Sequence, residues 1–487
     1  MADSPDACKS LGAFYTPPDV AETLVRWVVR SPTDHLLDPS CGDGRFLAAH
    51  SNVVGVDRDP HAVATVAEQV RHATVVAADF FEWANSTRVK FDCAAGNPPF
   101  IRYQRFRGET RKQALKMCSE RGATFSGLTS SWAPFLVVAA SLLKRGGRIA
   151  FVVPAEIGHA PYARPLLEYL MDHFRSIRVV AVRDKVFPNL SEDVWFLYAE
   201  GYGESCGGIG FSRLESFRTS ASPPRARDIV SRSAWEEWNG RLRPYLVSDQ
   251  VREMYRKLAG RTGSTRLGEI AKVGIGYVTG ANSFFHVRPS EASRLEIPQE
   301  FLVPTVRKSS FLPQGSVTQS TIDGWIEDDE PVLLLRIPPN RDLPKAVREY
   351  LDSDEARQAQ LAYKCRMRTP WYTVPDVRIP DAFLSYMSGL GPSLVANTTT
   401  CVCTNSVHAV HLTNGLSAEE LVQRWRHPLV SLSCELEGHP LGGGMLKIEP
   451  REAANVVIPA VGIRLSAHQR TLIDEGIGTM RRWRHYA

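Results

Sequence analysis

Through the first 200 residues, short apolar runs alternate with longer stretches whose apolar positions recur at helical spacing. "DVAETLVRWVV", "HAVATVAEQV", "APFLVVAASLL" and "LLEYLMDHF" read as helices, and "GRFLAAH" as the start of one. "HLLDPS", "NVVGVD", "ATVVAADF", "FDCAAGNPP" and "GRIAFVVP" read as buried strands. Strands apolar on both faces and joined by helices predict an α/β fold, a mostly parallel sheet with helices on both sides. "IRVVAVR" followed by "VWFLYAE" predicts a closing hairpin near residue 200.

Beyond Glu204 the pattern dissolves into Ser, Arg, Pro and Gly, as in "SFRTSASPPRARDIVSRS". Such a stretch predicts a linker over 206–243, dividing a domain at 1–205 from one at 244–487. In the later part strand-like and turn-like segments dominate ("VGIGYVTGANSFFHV", "VLLLRIPP", "SLVANTTTCVCTNSVHAVHL"), with helices such as "AEELVQRWRHPLVSLSCEL". They predict a mixed α+β domain.

Composition acts mainly by exclusion. A chain of 487 residues exceeds what one core holds, since single cores stop growing near ~250 to 300 residues. No run approaches the ~18 apolar residues that a membrane span requires. The start, "MADSPDACKS", has neither a basic region nor an apolar one of the export type, so a cytoplasmic location is expected. Nine cysteines occur without a C-x-x-C pair, and thirteen histidines form no H-E-x-x-H set, so no metal is expected. Cys401 and Cys403 alternate as strand residues do and are expected in a core.

Net charge, +5, is only mildly basic. Its local distribution says more. Seven basic residues lie between Arg102 and Arg121, beginning with Arg102, Arg105 and Arg107 directly after "GNPPF". A second patch, "YKCRMRTPWY", interleaves Arg366 and Arg368 with aromatic rings.

The chemistry-bearing residues fall at the ends of the predicted strands. "LLDPSCGDGRFL" joins an apolar strand to Asp38 and a Gly42-Asp43-Gly44 turn. Glycine there lets a ligand approach the backbone, and open α/β sheets bind ligands at strand carboxyl ends. Leu47 stands where a dinucleotide fingerprint requires its third glycine, which favours a smaller nucleoside ligand. Asp57 ends the next strand, where a carboxylate suits ribose hydroxyls. Asp79 and Phe80 follow the third, an acceptor for an exocyclic amine beside a ring. "NPPF" follows the fourth. Asn97 offers a side-chain carbonyl, and Pro98, in an N–H-free dipeptide with Pro99, a rigid backbone carbonyl. Two fixed acceptors can bind both hydrogens of an amino group and so free a lone pair that is otherwise delocalised into an aromatic ring. Phe100 supplies a face for stacking a base.

As an ordered set, "GAFYTPPDVAETLV", "LLDPSCGDGRFL", "VVGVDRD", "AADFF", "GNPPF", "LLKRGGRIAFVVP" and "VFPNLSEDVWFLY" resemble one family. It is that of the class I S-adenosylmethionine-dependent DNA methyltransferases, in the gamma-ordered adenine-N6 group of bacterial restriction-modification and phage-defence systems. The resemblance spans about residues 11–200. It implies a Rossmann-like catalytic domain that binds S-adenosyl-L-methionine through Tyr15, Thr16, Asp38, Cys41, Gly42, Asp57, Asp79 and Phe80. It implies that Asn97, Pro98, Pro99 and Phe100 are catalytic, with Phe187 stacking on the opposite face of a flipped adenine. The second half is similar, more loosely, to the target-recognition domains of these enzymes. Double-stranded DNA is the partner so implied, with phosphates met by Arg102, Arg105, Arg107, Arg366 and Arg368, and a separately encoded restriction endonuclease as a second partner.

Two other readings stay open from the residues: an amino-methyltransferase acting on RNA or a protein glutamine, and a silent DNA-binding specificity protein. An intact Asn97–Phe100 stretch weighs against the silent protein, and "FYTPP" ahead of the cofactor turn against the glutamine enzymes.

Overall fold

The structure is a computed structural model that describes residues 16–486 apart from 189, 191, 340 and 414. The chain forms two compact units that divide between Leu246 and Val247.

In the first unit the strands are β1 (Leu36–Asp38), β2 (Val53–Asp57), β3 (Thr74–Ala77), β4 (Phe91–Gly96), β5 (Leu143–Pro154), β6 (Phe174–Val182), β7 (Val194–Tyr202), β8 (Gly208–Leu214) and β9 (Asp228–Ser231). They form one nine-stranded sheet in the order β3-β2-β1-β4-β5-β7-β6-β8-β9. β1 to β5 are parallel, and β7 enters antiparallel between β5 and β6. The mostly parallel sheet expected from the apolar runs is therefore present. The order reverses at β1, which has β2 on one side and β4 on the other, and this opens a crevice at the carboxyl ends of those strands.

The helices up to β6 among the described residues are α1 (Pro18–Val28), α2 (Arg45–Ala48), α3 (Pro60–Gln69), α4 (Phe80–Ser86), α5 (Gly108–Glu120), α6 (Trp132–Ser141) and α7 (Ala163–His173). α1 starts on a proline, where the missing N–H costs nothing, and carries Asp19 in its first turn and Arg26 in its last. Its buried face, including Val20, Leu24 and Val28, packs into a core shared with Leu36, Leu47 and Val152. α6 is apolar all round and buried along its length, as a helix enclosed by other elements must be.

The hairpin near residue 200 is present as β6 and β7, but the sheet does not end there. β8 pairs parallel with β6, and β9 antiparallel with β8. The expected linker over 206–243 is thus corrected. It supplies two strands and the short helix Arg232–Glu236, and it belongs to the first unit. Gly208 and Gly210 disguised β8, yet both are needed. A Cβ at Gly208 would lie 2.4 Å from the Val230 carbonyl, and one at Gly210 would lie 3.0 Å from the Ala226 side chain.

The second unit is mixed α+β. A five-stranded sheet runs 271–275, 407–412, 382–385, 394–397, 316–317, and a four-stranded one runs 286–287, 333–335, 302–306, 402–403. Cys401 and Cys403 are buried, with Phe383 and Val407, in a core between these strands. The longest of its described helices are Asp249–Ala259, Pro428–Glu437 and Ala467–Trp483, the last opened by a Ser466/Gln469 capping box.

Candidate active site and groove

The carboxyl edge of β1 to β4 collects the residues that the motifs single out. Asp38 is the last residue of β1 and is fully buried. Its Oδ1 accepts from the Ser40 N–H at 3.1 Å, while Oδ2 is buried and has no hydrogen-bond partner among the described residues. Burial pushes its carboxyl up to about 8, against the Ser40 hydrogen bond and helped by the charges of Asp57 and Asp43. Gly96, at the end of β4, makes room for this carboxylate: a Cβ there would lie 2.7 Å from Asp38 Oδ1.

The turn after β1 is held by β2. Gly42 N–H donates to Asp57 Oδ2 at 2.9 Å, and Asp59 N–H to Asp57 Oδ1 at 3.0 Å. Each oxygen keeps a second lone pair, so a pair of vicinal hydroxyls still finds two acceptors. Gly42 has φ +48°, and nothing lies within 4 Å of the space a Cβ would take. The space on the side-chain side of its backbone is therefore open. Arg45, from α2, ties the start of α1 to this turn by donating to the Thr16 carbonyl at 2.8 Å while pairing with Asp43. Tyr15, its expected neighbour in the same role, lies outside the described residues.

Cys41 is 4% exposed, and burial together with Asp38 raises its thiol pKa. Its side chain packs where Gly55 leaves room, so only its backbone lines the turn. Asp79 caps α4, Oδ1 accepting from Phe81 N–H at 2.9 Å and Glu82 N–H at 3.3 Å. Phe80 departs from expectation: it is 3% exposed and stacked on Phe135 at 5.1 Å, so its ring is core rather than a platform for a base.

Asn97 to Phe100 follow β4 directly. Ser40 Oγ donates to the Asn97 carbonyl at 3.3 Å, which joins the glycine turn to the loop. Pro98 is buried, and Phe100 is half-buried against the α1–β1 core. Phe187 belongs to that same core with Leu190 and Val194 and is 7% exposed. The two rings thus flank one apolar cluster, with Phe187 part of its wall rather than an open face.

Of the basic residues after the loop, Arg105 and Arg107 are exposed and form no ion pair among the described residues. Arg102 pairs with Glu192 at 2.8 Å, linking the loop to the segment after Phe187. Arg121 is occupied with α5 and α6, donating to the Met117 carbonyl at 2.8 Å and Ser141 Oγ at 2.9 Å.

A groove of about 690 Å³ in the second unit lies along the edge strand 271–275. Lys272, Lys364, Arg368, Arg378 and His411 line it, with Asp376 the acid among them. Arg366 is exposed. Arg368 differs from expectation, since its guanidinium donates to the Thr279 and Val278 carbonyls at 2.6 Å and braces the groove floor. No metal-holding cluster of His, Cys, Asp or Glu is found among the described residues, and none of their helices is long and apolar enough to cross a membrane.

The family model for the C-terminal domain of Type II methyltransferase M.Eco57I matches residues 239–484, half the chain. The chain belongs to this family. The Eco57I restriction-modification methylase model matches 66–187, and the N-6 DNA methylase model 3–78, so both the carboxyl edge of β1 to β3 and the Asn97 loop fall within matched segments. The protein is an adenine-specific DNA methyltransferase of the restriction-modification type. Among its relatives, Type II methyltransferase M.AccI of Acinetobacter calcoaceticus is 19% identical over 91% of this chain and 84% of its own. M.XamI of Xanthomonas campestris pv. amaranthicola is 23% identical over 92% and 85%. In fold the chain is similar to the Type IIL restriction-modification enzyme MmeI in complex with DNA, with a TM-score of 0.55 and 11% identity over 95% of this chain and 70% of that one. It is also similar to the DrdV–DNA complex, with a TM-score of 0.51 and 12% identity over 89% and 53%.

Proposed function

We propose that this methyltransferase binds S-adenosyl-L-methionine along the carboxyl edge of β1 to β4 and methylates N6 of an adenine swung out of duplex DNA and held by Asn97 to Phe100. The observation that carries the reading is the buried, partnerless Asp38 Oδ2 beside the bare backbone of Gly42. A buried polar atom without a partner is costly, and a cationic or hydrogen-bonding ligand removes that cost. The residues present fit the cofactor. Thr16, Asp38 and Gly42 would surround its methionine end, Asp57 its ribose, and Asp79 its adenine amine. When bound, it supplies a methyl group already activated by a sulfonium.

The chain's own task is then orientation. Asn97 Oδ1 and the Pro98 carbonyl accept the two amino hydrogens and turn the nitrogen lone pair toward the methyl group. Phe100 stacks on the base, and Phe187 covers its other face once the base has entered. Taking the base out of the helix is required, because its N6 is inaccessible to such a loop within the stack. Holding reactants in an aligned pose is worth several orders of magnitude in rate.

Arg105 and Arg107 beside the loop, and Lys272, Lys364, Arg366 and Arg378 around the groove, suit phosphate contacts. In this reading the second unit is the target-recognition domain. The enzyme would work in the cytoplasm and protect DNA from a separately encoded endonuclease.

Incubation with unmethylated DNA and radiolabelled S-adenosylmethionine, followed by digestion to nucleosides, tests the assignment. Label in N6-methyladenine that is lost in Asn97→Ala supports it. Label in another base, or activity intact in Asn97→Ala, refutes it.

A further inference from the structure

Ser131 stands at the N-cap position of α6, yet its side chain makes no bond to that helix. A serine at this place ordinarily accepts from one of the first helical N–H groups, a contact worth ~1 kcal/mol. Here the hydroxyl is directed at the chain leaving β4. Ser131 Oγ donates to the Pro99 carbonyl and accepts from the Ile101 N–H at 3.0 Å, while the Ser131 N–H donates to the Ile101 carbonyl at 2.9 Å. Ser131 is 1% exposed, so water does not compete for these bonds.

The three bonds grip the backbone on both sides of Phe100. From the other end, Ser40 holds the Asn97 carbonyl at 3.3 Å. Rotation of either peptide plane flanking Phe100 would break a bond to Ser131, and every such rotation re-aims the Phe100 ring against the Asn97–Pro98 end of the loop.

We propose that Ser131 is a positioning residue for methyl transfer, diverted from helix capping to fix the angle at which the Asn97–Phe100 loop presents its acceptors and its ring. The proposal rests on the reading of that loop as the amino-binding site. A plain brace would act differently, because losing it would weaken the fold and the affinity for ligands together. A positioning residue acts on the reacting geometry once both ligands are bound, and hence on kcat.

The experiment compares steady-state methylation by the full-length wild type with Ser131→Ala, Ser131→Thr and Asn97→Ala, alongside thermal unfolding. Ser131→Ala is expected to lower kcat ~10- to 100-fold, the cost of a loop displaced by a fraction of an ångström. The KM values for DNA and cofactor should stay within about twofold. Ser131→Thr restores the hydroxyl and most of kcat. Should Ser131→Ala fail to fold, Ser131→Cys is read on the same axes, a fall in kcat at constant KM being the supporting result. Wild-type kcat in Ser131→Ala with Asn97→Ala inactive overturns this proposal alone. So does a loss that tracks the melting temperature and that threonine does not restore. Full activity in Asn97→Ala overturns the loop assignment beneath it.

Discussion

The two units place their chemistry differently. In the first, each polar residue of interest sits within a few positions of a strand end: Asp38 on β1, Asp57 on β2, Asp79 after β3 and Asn97 after β4. Sheet register fixes their spacing. In the second, the cationic groove is assembled from four separate stretches, 272–278, 364–368, 375–378 and 409–411. On the proposed reading, register concentrates function in a few atoms, whereas a surface spreads it over many, and the two should respond to substitution on different scales.

The sharpest way to break this contrast lies at the loop after β4. Asn97→Ala should reduce kcat about 10²- to 10³-fold, as removal of one fixed polar group from a preorganised site does, with DNA binding retained in a filter or mobility assay. A loss of tenfold or less would mean that the first unit is as tolerant as the second. Gly96→Ala comes next. Its Cβ would press on Asp38 Oδ1 at 2.7 Å, with β4 unable to move within the sheet. It should cost about 1 to 3 kcal/mol of stability in a denaturant titration and weaken the cofactor in parallel.

Asp38 gives a third test, in pH. Its carboxyl pKa is raised to about 8 in the folded protein, so between its ordinary value near 3.8 and pH 8 the folded state holds a proton that the unfolded state has released. Stability from this group therefore falls as pH rises across that window and is flat above it. A cationic ligand favours the ionised form. Binding at pH 7 should release up to one proton, visible in calorimetry as a dependence on buffer ionisation heat, and affinity should rise as pH approaches 8. In Asp38→Asn both effects should vanish.

The smallest effects belong to the groove. Lys272→Ala and Arg378→Ala should each weaken DNA binding only a few-fold and lower the slope of log affinity against log salt by about 1, with kcat at saturating DNA unchanged. A hundred-fold effect from either would make the groove a point-like site and end the comparison.

Legibility in the sequence follows the same division. The placement of Asp38, Asp57, Asp79 and Asn97 could be read because a buried parallel strand is a short apolar run, and the first polar residue after it marks the carboxyl edge of the sheet. Phe80 and Arg368 were misjudged for a common reason. An aromatic ring or a guanidinium has the same letter whether it faces a ligand or fills the interior, and only tertiary packing sends one onto Phe135 and the other onto two carbonyls. Ser131 was missed because a serine ahead of an apolar helix reads as a cap. β8 and β9 were missed because glycine, serine and arginine carry no strand pattern, and the pairing of β8 with β6 is a long-range property. The small sheets of the second unit share that difficulty, joining two- to six-residue strands far apart in sequence.

The β8–β9 extension also decides where this chain can be cut. Without it, β6 would be the last strand of the sheet, and the row of backbone groups along Arg178–Val182 that now pairs with Gly210–Leu214 would face solvent. A long apolar strand with open N–H and C=O groups recruits other chains into intermolecular sheets. Cutting at residue 205, where the apolar pattern stops, should leave a fragment prone to self-association. Cutting at 246 keeps β6 covered and ends the sheet on β9, a four-residue strand beginning with Asp228.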